Sequence, residues 1–408
     1  MPQKKNRLTH TQKAIKSKNT STYHSKTRSV SKSDIESCRT LVENYPRRVD
    51  WYKIGKNIGS GSFGEVFRPK KIPGLVVKLV SFKKGESSKK EFYREGLFAA
   101  SLKYPSVART YKYFVANSNP LQGCLIMKWY PMSLKQFTKK YYDANTVTAT
   151  NCHQKWHKKM TTIWAQIVCG VHYLHLKGLV YLDLKPDNVL CNSRGNVFLT
   201  DFGLSQCVGK TKLCEKCKLK DLCKLDNTPN CTTSSAGTRG YFSYGQAYQR
   251  MYDDRQDFGF ASDYWTVTDI LWGLLPSKNL DYLSQSPFRP QTKEENDDRG
   301  VSKIINFVKS TDPDRFSQLY GYNDPLRIKV LQQYPWLTTL FRDIFSESFV
   351  TTWLFPCLTP TQTQPLVVRL LRDLPHDSVK GSSLIHMMNK TSDYQTIKKM
   401  FNSFINSS

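Results

Sequence analysis

Acidic residues are scarce in this chain of 408 residues, which has 33 Asp and Glu against 61 Lys and Arg and a formal net charge of +28. The first 33 residues contain no acid at all. They also hold too little apolar surface to offset the entropy of ordering, so we expect residues 1–50 to be a basic, largely disordered tail. Such a charge favours polyanionic partners such as nucleic acid, nucleotides or acidic proteins, the alternative being a merely solvated basic surface.

Long apolar runs and a regular cysteine framework are missing as well. No run of about 18 apolar residues occurs, and residues 1–30 lack the apolar core of a signal peptide. The 11 cysteines are dispersed and odd in number, which excludes a fully paired disulfide scaffold. We therefore expect a soluble, intracellular chain with reduced thiols and no membrane partner. Lys4, Lys5 and Arg7 resemble a weak nuclear-import cluster, and a solubilising tail is the alternative.

The pattern of apolar residues changes along the ordered part, which we expect to begin near Trp51. Strand-like runs surround a Gly-rich turn and the segment "VVKLV", and one helix is predicted over residues 88 to 102. Residues 155 to 177 have helical spacing, with Met160, Ile163 and Ile167 at intervals of three or four. A small β-rich half followed by a larger helical half predicts two lobes.

The Gly-rich stretch "IGSGSFGEVF", residues 58–67, indicates a phosphate site. Glycines 59, 61 and 64 let the backbone approach phosphate oxygens that a Cβ would block. Because a β-like run follows, a hairpin is favoured over a Rossmann turn. Lys78 lies in an apolar strand, where its ammonium is a misfit unless it reaches an anion, and Glu95 is its candidate partner. The residues predicted to contact the nucleotide here are Ile58, Gly59, Ser60, Gly61, Ser62, Phe63, Gly64, Glu65, Val66, Lys78 and Glu95.

A second polar cluster, "YLDLKPDNVL" at residues 181–190, lies among apolar neighbours. Charged groups in such a setting cost free energy unless they are paired or bound to a ligand. Asn188, and Asp201 in "FLTDFGLS", offer hard oxygen ligands suited to Mg²⁺. Asp183 is then the carboxylate that accepts the proton of an attacking hydroxyl, and Lys185 neutralises charge on the transferred phosphoryl group. The cluster is predicted to be a catalytic loop whose ligand is a metal nucleotide.

In order and spacing these motifs resemble the protein kinase family. The resemblance implies an α+β bilobal fold, with ATP between a small β-rich lobe at residues 51–130 and a helical lobe at residues 131–345. Residues 346–408 follow no pattern of the family, and we expect a divergent helical segment there. By the same resemblance, Met127 and Trp129 face the adenine. Lys185 favours Ser/Thr over Tyr specificity, so the expected partners are proteins with Ser/Thr hydroxyls.

Several positions depart from the family pattern. Tyr181 and Leu182 replace the usual His and Arg, so no arginine precedes the catalytic Asp. Because that arginine normally pairs with a phosphate on the activation loop, switching by loop phosphorylation is not expected. Ser, Tyr and Gly at 243–245 stand where the family has A-P-E, so the buried Glu–Arg ion pair of the large lobe should be missing. Asp263 matches the helix that anchors the catalytic loop.

A Cys-rich insert, residues 207–231, separates "DFG" from "AGTRG". The spacing C-x2-C-x5-C-x7-C suits tetrahedral Zn²⁺, and a metal would order a polar loop with little apolar material. Free or redox-active thiols are the alternative. The insert is locally similar to that of the replication-origin-firing cell-division-cycle kinase, and the degenerate flanks resemble kinases of large DNA viruses. The predicted zinc ligands are Cys214, Cys217, Cys223 and Cys231, with Cys207 as a spare.

Together these features predict an active Ser/Thr protein kinase that transfers the γ-phosphoryl group of Mg-ATP to protein hydroxyls. The alternative from another class is a pseudokinase scaffold acting through its basic surface. A scaffold needs none of Lys78, Asp183 and Asp201, so their joint retention argues against it. Nucleic-acid binding through the tail would be compatible with catalysis. An activating subunit is not identified by these motifs.

The charge distribution yields a prediction about nucleic acid. We expect DNA or RNA to bind without sequence preference and with an affinity that falls steeply as salt rises, because Lys and Arg displace counterions from the phosphates. Removing residues 1–33 should weaken the binding measured by fluorescence anisotropy across a salt series. Circular dichroism of the truncated chain is the control and should show that the rest of the chain is still folded. Binding that is absent, or indifferent to salt, would make the charge merely solubilising.

Overall fold

The computed structural model describes most of the chain between residues 30 and 372. The described ranges are 30–43, 55–61, 64–70, 72, 74–82, 86–116, 121–144, 152–219, 222, 230–252, 256–289 and 297–372. Several of the sequence predictions fall outside them. These are the predictions for residues 1–29, Ser62, Phe63, Cys223 and residues 373–408.

A five-stranded antiparallel sheet forms the amino-terminal lobe, with strand order β1-β2-β3-β5-β4. The inner strands β3 and β5 are rich in β-branched and other apolar residues and are almost wholly buried. This sheet and the helices that follow it confirm the α+β bilobal architecture. The five strands are β1 (Gly55–Gly61), β2 (Gly64–Pro69), β3 (Leu75–Ser81), β4 (Thr110–Ala116) and β5 (Gln122–Lys128).

Helix α2 (Glu86–Ser101) packs on this sheet and agrees with the helix predicted over residues 88 to 102. Its Phe92 lies directly on β5 because residue 123 is a glycine. A Cβ on Gly123 would be 2.5 Å from the Phe92 ring. Gly96 is crowded in the same way, since its Cβ would be 2.4 Å from the ring of Tyr113. Close packing of this helix fixes the position of Glu95, which lies on the same turn.

A helix also occurs inside the segment for which composition predicts disorder. Helix α1 (Lys32–Glu43) begins with a reciprocal cap, in which Asp34 N donates to Ser31 Oγ and Ser31 N donates to Asp34 Oδ2. Cys38 is buried against the sheet, and burial raises the pKa of its thiol to about 11. The expected tail of residues 1–50 is therefore interrupted by an ordered element. Averaged composition misses this short apolar face.

The carboxyl-terminal lobe is built around two buried helices, α4 and α7. The Trp164 indole of α4 donates to the carbonyl of Val267 on α7 at 3.1 Å. The range of α4 agrees with the helix predicted over residues 155 to 177. The helices of this lobe are α3 (Leu134–Ala144), α4 (Cys152–Leu176), α5 (Lys212–Leu219), α6 (Tyr244–Tyr252), α7 (Ala261–Leu274), α8 (Asp297–Lys309), α9 (Pro325–Gln333), α10 (Pro335–Ile344), α11 (Glu347–Phe349) and α12 (Gln364–Arg372).

Short strands carry the loops between these helices. Strand β7 pairs with β10, β11 pairs with β12, and β6, β8 and β9 form a three-stranded sheet. A 3-10 turn at Pro186–Asn188 precedes β8. These strands fix both ends of the two loops that hold the predicted catalytic residues, 181–188 and 200–205. The strands are β6 (Met132–Ser133), β7 (Leu179–Val180), β8 (Val189–Cys191), β9 (Val197–Leu199), β10 (Gln206–Cys207), β11 (Cys231–Thr232) and β12 (Phe258–Gly259).

The described part of the segment expected to be divergent joins the same core. A π-helical turn at Val350–Leu354 and helix α12 contribute Leu354, Leu366 and Leu370 to the hydrophobic cluster of the large lobe. An aromatic ring of α10 also packs edge-to-face against α7, with the Phe341 and Trp272 centroids 5.2 Å apart. No helix among the described ranges combines the length and hydropathy of a membrane span.

The docking of α1 yields a prediction about stability. Removing residues 1–43 should lower the free energy of unfolding by about 3 kcal/mol, because it uncovers the apolar surface that Cys38 and Ile35 cover. Removing residues 1–29 should have little effect, since that deletion spares the helix. Differential scanning calorimetry of the two truncations makes the comparison. Equal melting temperatures would show that α1 contributes nothing to the stability of the lobe.

Candidate active site

Lys78, Glu95 and Asp201 come together from a strand, a helix and a loop. The Lys78 ammonium donates to Glu95 Oε1 at 2.7 Å and to Asp201 Oδ1 at 3.1 Å. Burial lowers the pKa of Lys78, but Asp201 and Glu95 together raise it above its ordinary value. Burial raises the pKa of Glu95 to about 7, against the opposing effect of Lys78. The ammonium is therefore charged, while the carboxyl of Glu95 titrates near neutrality.

The Gly-rich segment is an antiparallel hairpin, as predicted in preference to a Rossmann turn. Its glycines do different jobs. A Cβ on Gly59 would meet no atom within 4 Å, so this backbone is open to a ligand. Gly64 has a φ of +132°, and its Cβ would be 2.0 Å from the Leu79 carbonyl oxygen. Gly64 is thus required by the passage of β3 beneath the hairpin, a role that the sequence argument did not assign to it.

The segment that connects the two lobes is held by backbone and ring contacts. Met127 ends the buried part of β5, where it pairs with Val76. Trp129 N donates to the Gly74 carbonyl at 2.9 Å, and the Arg68 guanidinium lies 3.7 Å from the centre of the Trp129 ring. These contacts fix the two residues predicted to face adenine at the junction of the lobes.

Asp183 lies at the centre of a hydrogen-bonded cluster in the large lobe. Its Oδ1 accepts from Thr238 Oγ1 at 2.7 Å, and its Oδ2 accepts from Lys185 Nζ at 3.0 Å and from Asn188 Nδ2 at 2.8 Å. Lys185 also donates to Thr238 Oγ1 at 2.6 Å. The structure therefore brings together three predicted residues and adds Thr238. Sequence reasoning quoted "AGTRG" without giving this threonine a role.

A buried carboxylate, Asp263, anchors the backbone that leads to Asp183. It accepts from Tyr181 N at 2.8 Å, from Leu182 N at 3.0 Å and from His175 Nε2 at 2.8 Å. Leu182 has a φ of 67°, a left-handed conformation that costs a non-glycine residue on the order of 1–3 kcal/mol. The two N–H groups that converge on one carboxylate hold the strained turn in place.

Tyr181, which stands where the family has histidine, also stabilises this region. Its hydroxyl donates to the Thr200 carbonyl, one residue before Asp201. Burial raises the pKa of Tyr181 well above its ordinary value, with smaller contributions from Asp201 and Asp183. The phenol therefore stays neutral and keeps its proton for this bond. A neutral tyrosine thus links the catalytic loop to the strand that carries Asp201.

Gln246, directly after the segment 243–245, joins two parts of the site by hydrogen bonds. Its Nε2 donates to the Leu182 carbonyl at 2.9 Å and to the Ala236 carbonyl at 2.6 Å, while its Oε1 accepts from Ser243 N at 3.0 Å. The side chain is buried and joins the catalytic loop to the segment that carries Thr238. Sequence reasoning missed Gln246, since only the fold reveals its partners.

The donors available to a divalent cation are Asn188 and Asp201. Because Nδ2 of Asn188 is directed at Asp183, its Oδ1 is the atom that remains for a metal. The Asn188 backbone is held as well, since its carbonyl accepts from Thr200 N at 3.1 Å. An amide oxygen and a carboxylate are hard ligands, so this pair fits Mg²⁺.

The four-cysteine zinc set is not assembled among the described residues. The sulfur of Cys231 is bonded to that of Cys357, and Cys217 is also disulfide-bonded. Cys214 is a free, buried thiol whose sulfur donates to the carbonyls of Lys177 and Gly178. The expectation of uniformly reduced thiols is thus also wrong for Cys231 and Cys217. The spacing argument considered only cysteines inside the insert, whereas the fold brings Cys357 from 126 residues away.

Comparison with known proteins agrees with this geometry. Residues 52–375 match the protein kinase domain. Serine/threonine-protein kinase RUNKEL of Arabidopsis thaliana is 27% identical over 228 residues, which are 54% of this chain and only 14% of that relative. Aurora kinase of Eremothecium gossypii is 24% identical over 297 residues, 70% of this chain and 69% of the relative. For Aurora kinase B of Mus musculus the identity is 24% over 313 residues, 74% and 78% of the two chains.

The matched range includes both lobes and every side chain of the cluster around Asp183, and it covers most of the sequence. The chain belongs to the protein kinase domain family.

Proposed function

We propose that the protein is an active Ser/Thr protein kinase that transfers the γ-phosphoryl group of Mg-ATP to protein hydroxyls. The observation that carries this proposal is the environment of Asp183. Its carboxylate is almost wholly buried and accepts hydrogen bonds from Thr238, Lys185 and Asn188. These hydrogen bonds hold the carboxylate in one orientation, from which it can accept a proton from an acceptor hydroxyl.

Nucleotide binding in this proposal rests on the residues of the small lobe. Lys78 is positioned by Glu95 and Asp201, which hold its ammonium in one place for the phosphates. The open backbone at Gly59 allows a close approach of the hairpin, and Ile58, 45% exposed, offers apolar surface to adenine. Mg²⁺, when bound by Asn188 and Asp201, would neutralise charge on the phosphates.

Selection of Ser or Thr is supported by the contacts of Lys185. Its ammonium bridges Asp183 and Thr238, so it lies beside the carboxylate that receives the proton. A cation there stabilises negative charge on the transferred group. The position of Lys185, by resemblance to the family, is the one that favours Ser/Thr over Tyr.

Activity in this proposal does not require a phosphate on the activation segment. Leu182, which stands where the family has arginine, is apolar and buried, so it offers no charge to a phosphate. The Lys78–Glu95 ion pair is already formed, and Gln246 connects the catalytic loop to the segment 236–243. Fixed hydrogen bonds therefore replace a switchable ion pair.

The competing proposal is a pseudokinase scaffold. Nucleic-acid binding and a nuclear location are further proposals that rest on the charge of +28 and are compatible with catalysis. A scaffold would require a folded surface, but it would not require Lys185 and Asn188 to donate hydrogen bonds to Asp183. Because these hydrogen bonds are present, the cluster around Asp183 favours an active kinase over a scaffold. The experiments below separate binding of ATP from its use.

Replacing Asp183 with Asn should lower phosphoryl transfer by about 100-fold or more, the range for loss of a general base. ATP binding should persist, since Asp183 serves the acceptor rather than the nucleotide. The rates are measured by ATP-dependent labelling of acidic and basic model substrates, and binding by calorimetry. Asp187→Asn is the matched control, because Asp187 is exposed and only pairs with Lys135 at 3.7 Å. Wild-type protein that binds ATP without transferring phosphate would establish the pseudokinase instead.

The raised pKa of Glu95 predicts an effect of pH on nucleotide binding. As pH falls through about 7, Glu95 becomes protonated and no longer holds Lys78 as a charged pair. The KM for ATP should therefore rise on the acid side of neutrality in the wild type. Glu95→Gln should have a higher KM throughout and lack this rise, since an amide does not titrate there. Parallel pH profiles for the two proteins would refute the role of Glu95 ionisation.

A further inference from the structure

Three potential metal ligands meet outside the catalytic cluster, beside the end of the Cys-rich insert. A ligand atom from each of Cys231, Asp257 and Cys357 lies within 4.8 Å of the other two. Cys231 is buried, and the other two side chains are half-buried. No contact that the structure describes for these three residues involves the residues that we assign to phosphoryl transfer, so the cluster needs a separate explanation.

The fold builds this cluster from three segments far apart in sequence. Strands β11 and β12 pair with Cys231 opposite Gly259, and Asp257 directly precedes β12. A Cβ on residue 259 would be 3.3 Å from the Asn230 carbonyl oxygen and 3.5 Å from that of Pro356. The loop that carries Cys357 therefore lies against the two-stranded ribbon at Gly259. The Cα atoms of Cys231 and Cys357 are 5.2 Å apart as a result.

The disulfide between Cys231 and Cys357 leaves Asp257 without a role. A disulfide is neutral and uses only the two sulfurs. Among the residues that the structure describes, the Asp257 carboxylate makes no ion pair and no side-chain hydrogen bond. Once the disulfide is reduced, two thiols lie within a few ångströms of this carboxylate, where a divalent cation can displace their protons and offset the charge of all three groups. Two sulfur ligands and one carboxylate oxygen form a donor set that zinc accepts.

We propose that Cys231, Cys357 and Asp257 bind one zinc ion when the cysteines are reduced, with water or a further ligand in the fourth position. A thiol reductant must first reduce the disulfide. Cys231 and Cys357 then become two thiols, and the reductant is oxidised to its own disulfide. Zinc then forms a bond to each sulfur, and the two thiol protons pass to solvent. Either state, disulfide or zinc, joins β11 to the loop after the π-helical turn. Only the zinc state uses Asp257.

Cobalt provides a direct test on the full-length protein. The chain is reduced with a thiol reductant, desalted without oxygen and titrated with Co²⁺ alone. We expect one equivalent to produce the ligand-field bands of tetrahedral cobalt and a thiolate-to-cobalt charge-transfer band, both lost when Zn²⁺ is added. Cys231→Ser and Cys357→Ser should each reduce the charge-transfer band, and the double variant should lose it. Asp257→Asn should keep the fold and lose stoichiometric binding.

Cys214→Ser is the matched control, since Cys214 is a buried thiol of the same insert whose sulfur donates to the Lys177 and Gly178 carbonyls instead. This variant should bind Co²⁺ as the wild type does, and circular dichroism of each variant verifies folding. Fully reduced wild type that binds no Co²⁺ would overturn the proposal. So would a Co²⁺ spectrum that survives the double Cys231/Cys357 variant or Asp257→Asn. None of these readouts depends on phosphoryl transfer, so they stand apart from the proposed kinase activity.

Discussion

The geometry of the site depends first on one buried carboxylate. Asp263 accepts the backbone N–H groups of both Tyr181 and Leu182. Leu182 is held at a positive φ, a conformation that a free leucine would leave. The turn directs Asp183 towards Thr238 and Lys185 instead of the hydrophobic interior. Without the anchor the turn would relax, and the polar side chains that follow would be buried without partners.

Sequence reasoning predicted the fold, which the structure confirms, and named most of the side chains that meet around Lys78 and Asp183, because both depend on local signals. Periodicity indicated the helices and strands, and the misfit of Lys78 and Asp183 among apolar neighbours marked them as candidate site residues. Thr238 and Gln246 were missed because their significance lies in long-range contacts. Their partners Asp183 and Leu182 are 55 and 64 positions away. A threonine or glutamine at an ordinary position carries no such signal in its surroundings.

Two predictions differ from the structure, the disordered tail of residues 1–50 and the zinc site of the Cys-rich insert. Both were made from the composition or spacing of a segment, which does not show contacts with distant residues. Over residues 1–50 the composition predicts disorder, but a capped helix with one buried cysteine docks on the sheet. Within the insert the spacing of cysteines suggests a closed metal site. The fold instead joins Cys231 to Cys357 in a disulfide, and the free thiol of Cys214 donates to the carbonyls of Lys177 and Gly178. A linear motif does not show which thiols are neighbours in space.

The whole chain is positively charged, whereas acids outnumber lysines among the side chains of the proposed site. The proposed reaction depends on both charges. The whole chain carries +28, which attracts nucleotides and acidic partners over distance. The site itself concentrates Glu95, Asp183 and Asp201, which would repel the phosphates of ATP. Lys78 and Lys185 offset part of that repulsion through ion pairs with these acids. In the proposed reaction a divalent cation on the nucleotide would offset the remaining repulsion, so the same acids would favour the magnesium complex over free ATP.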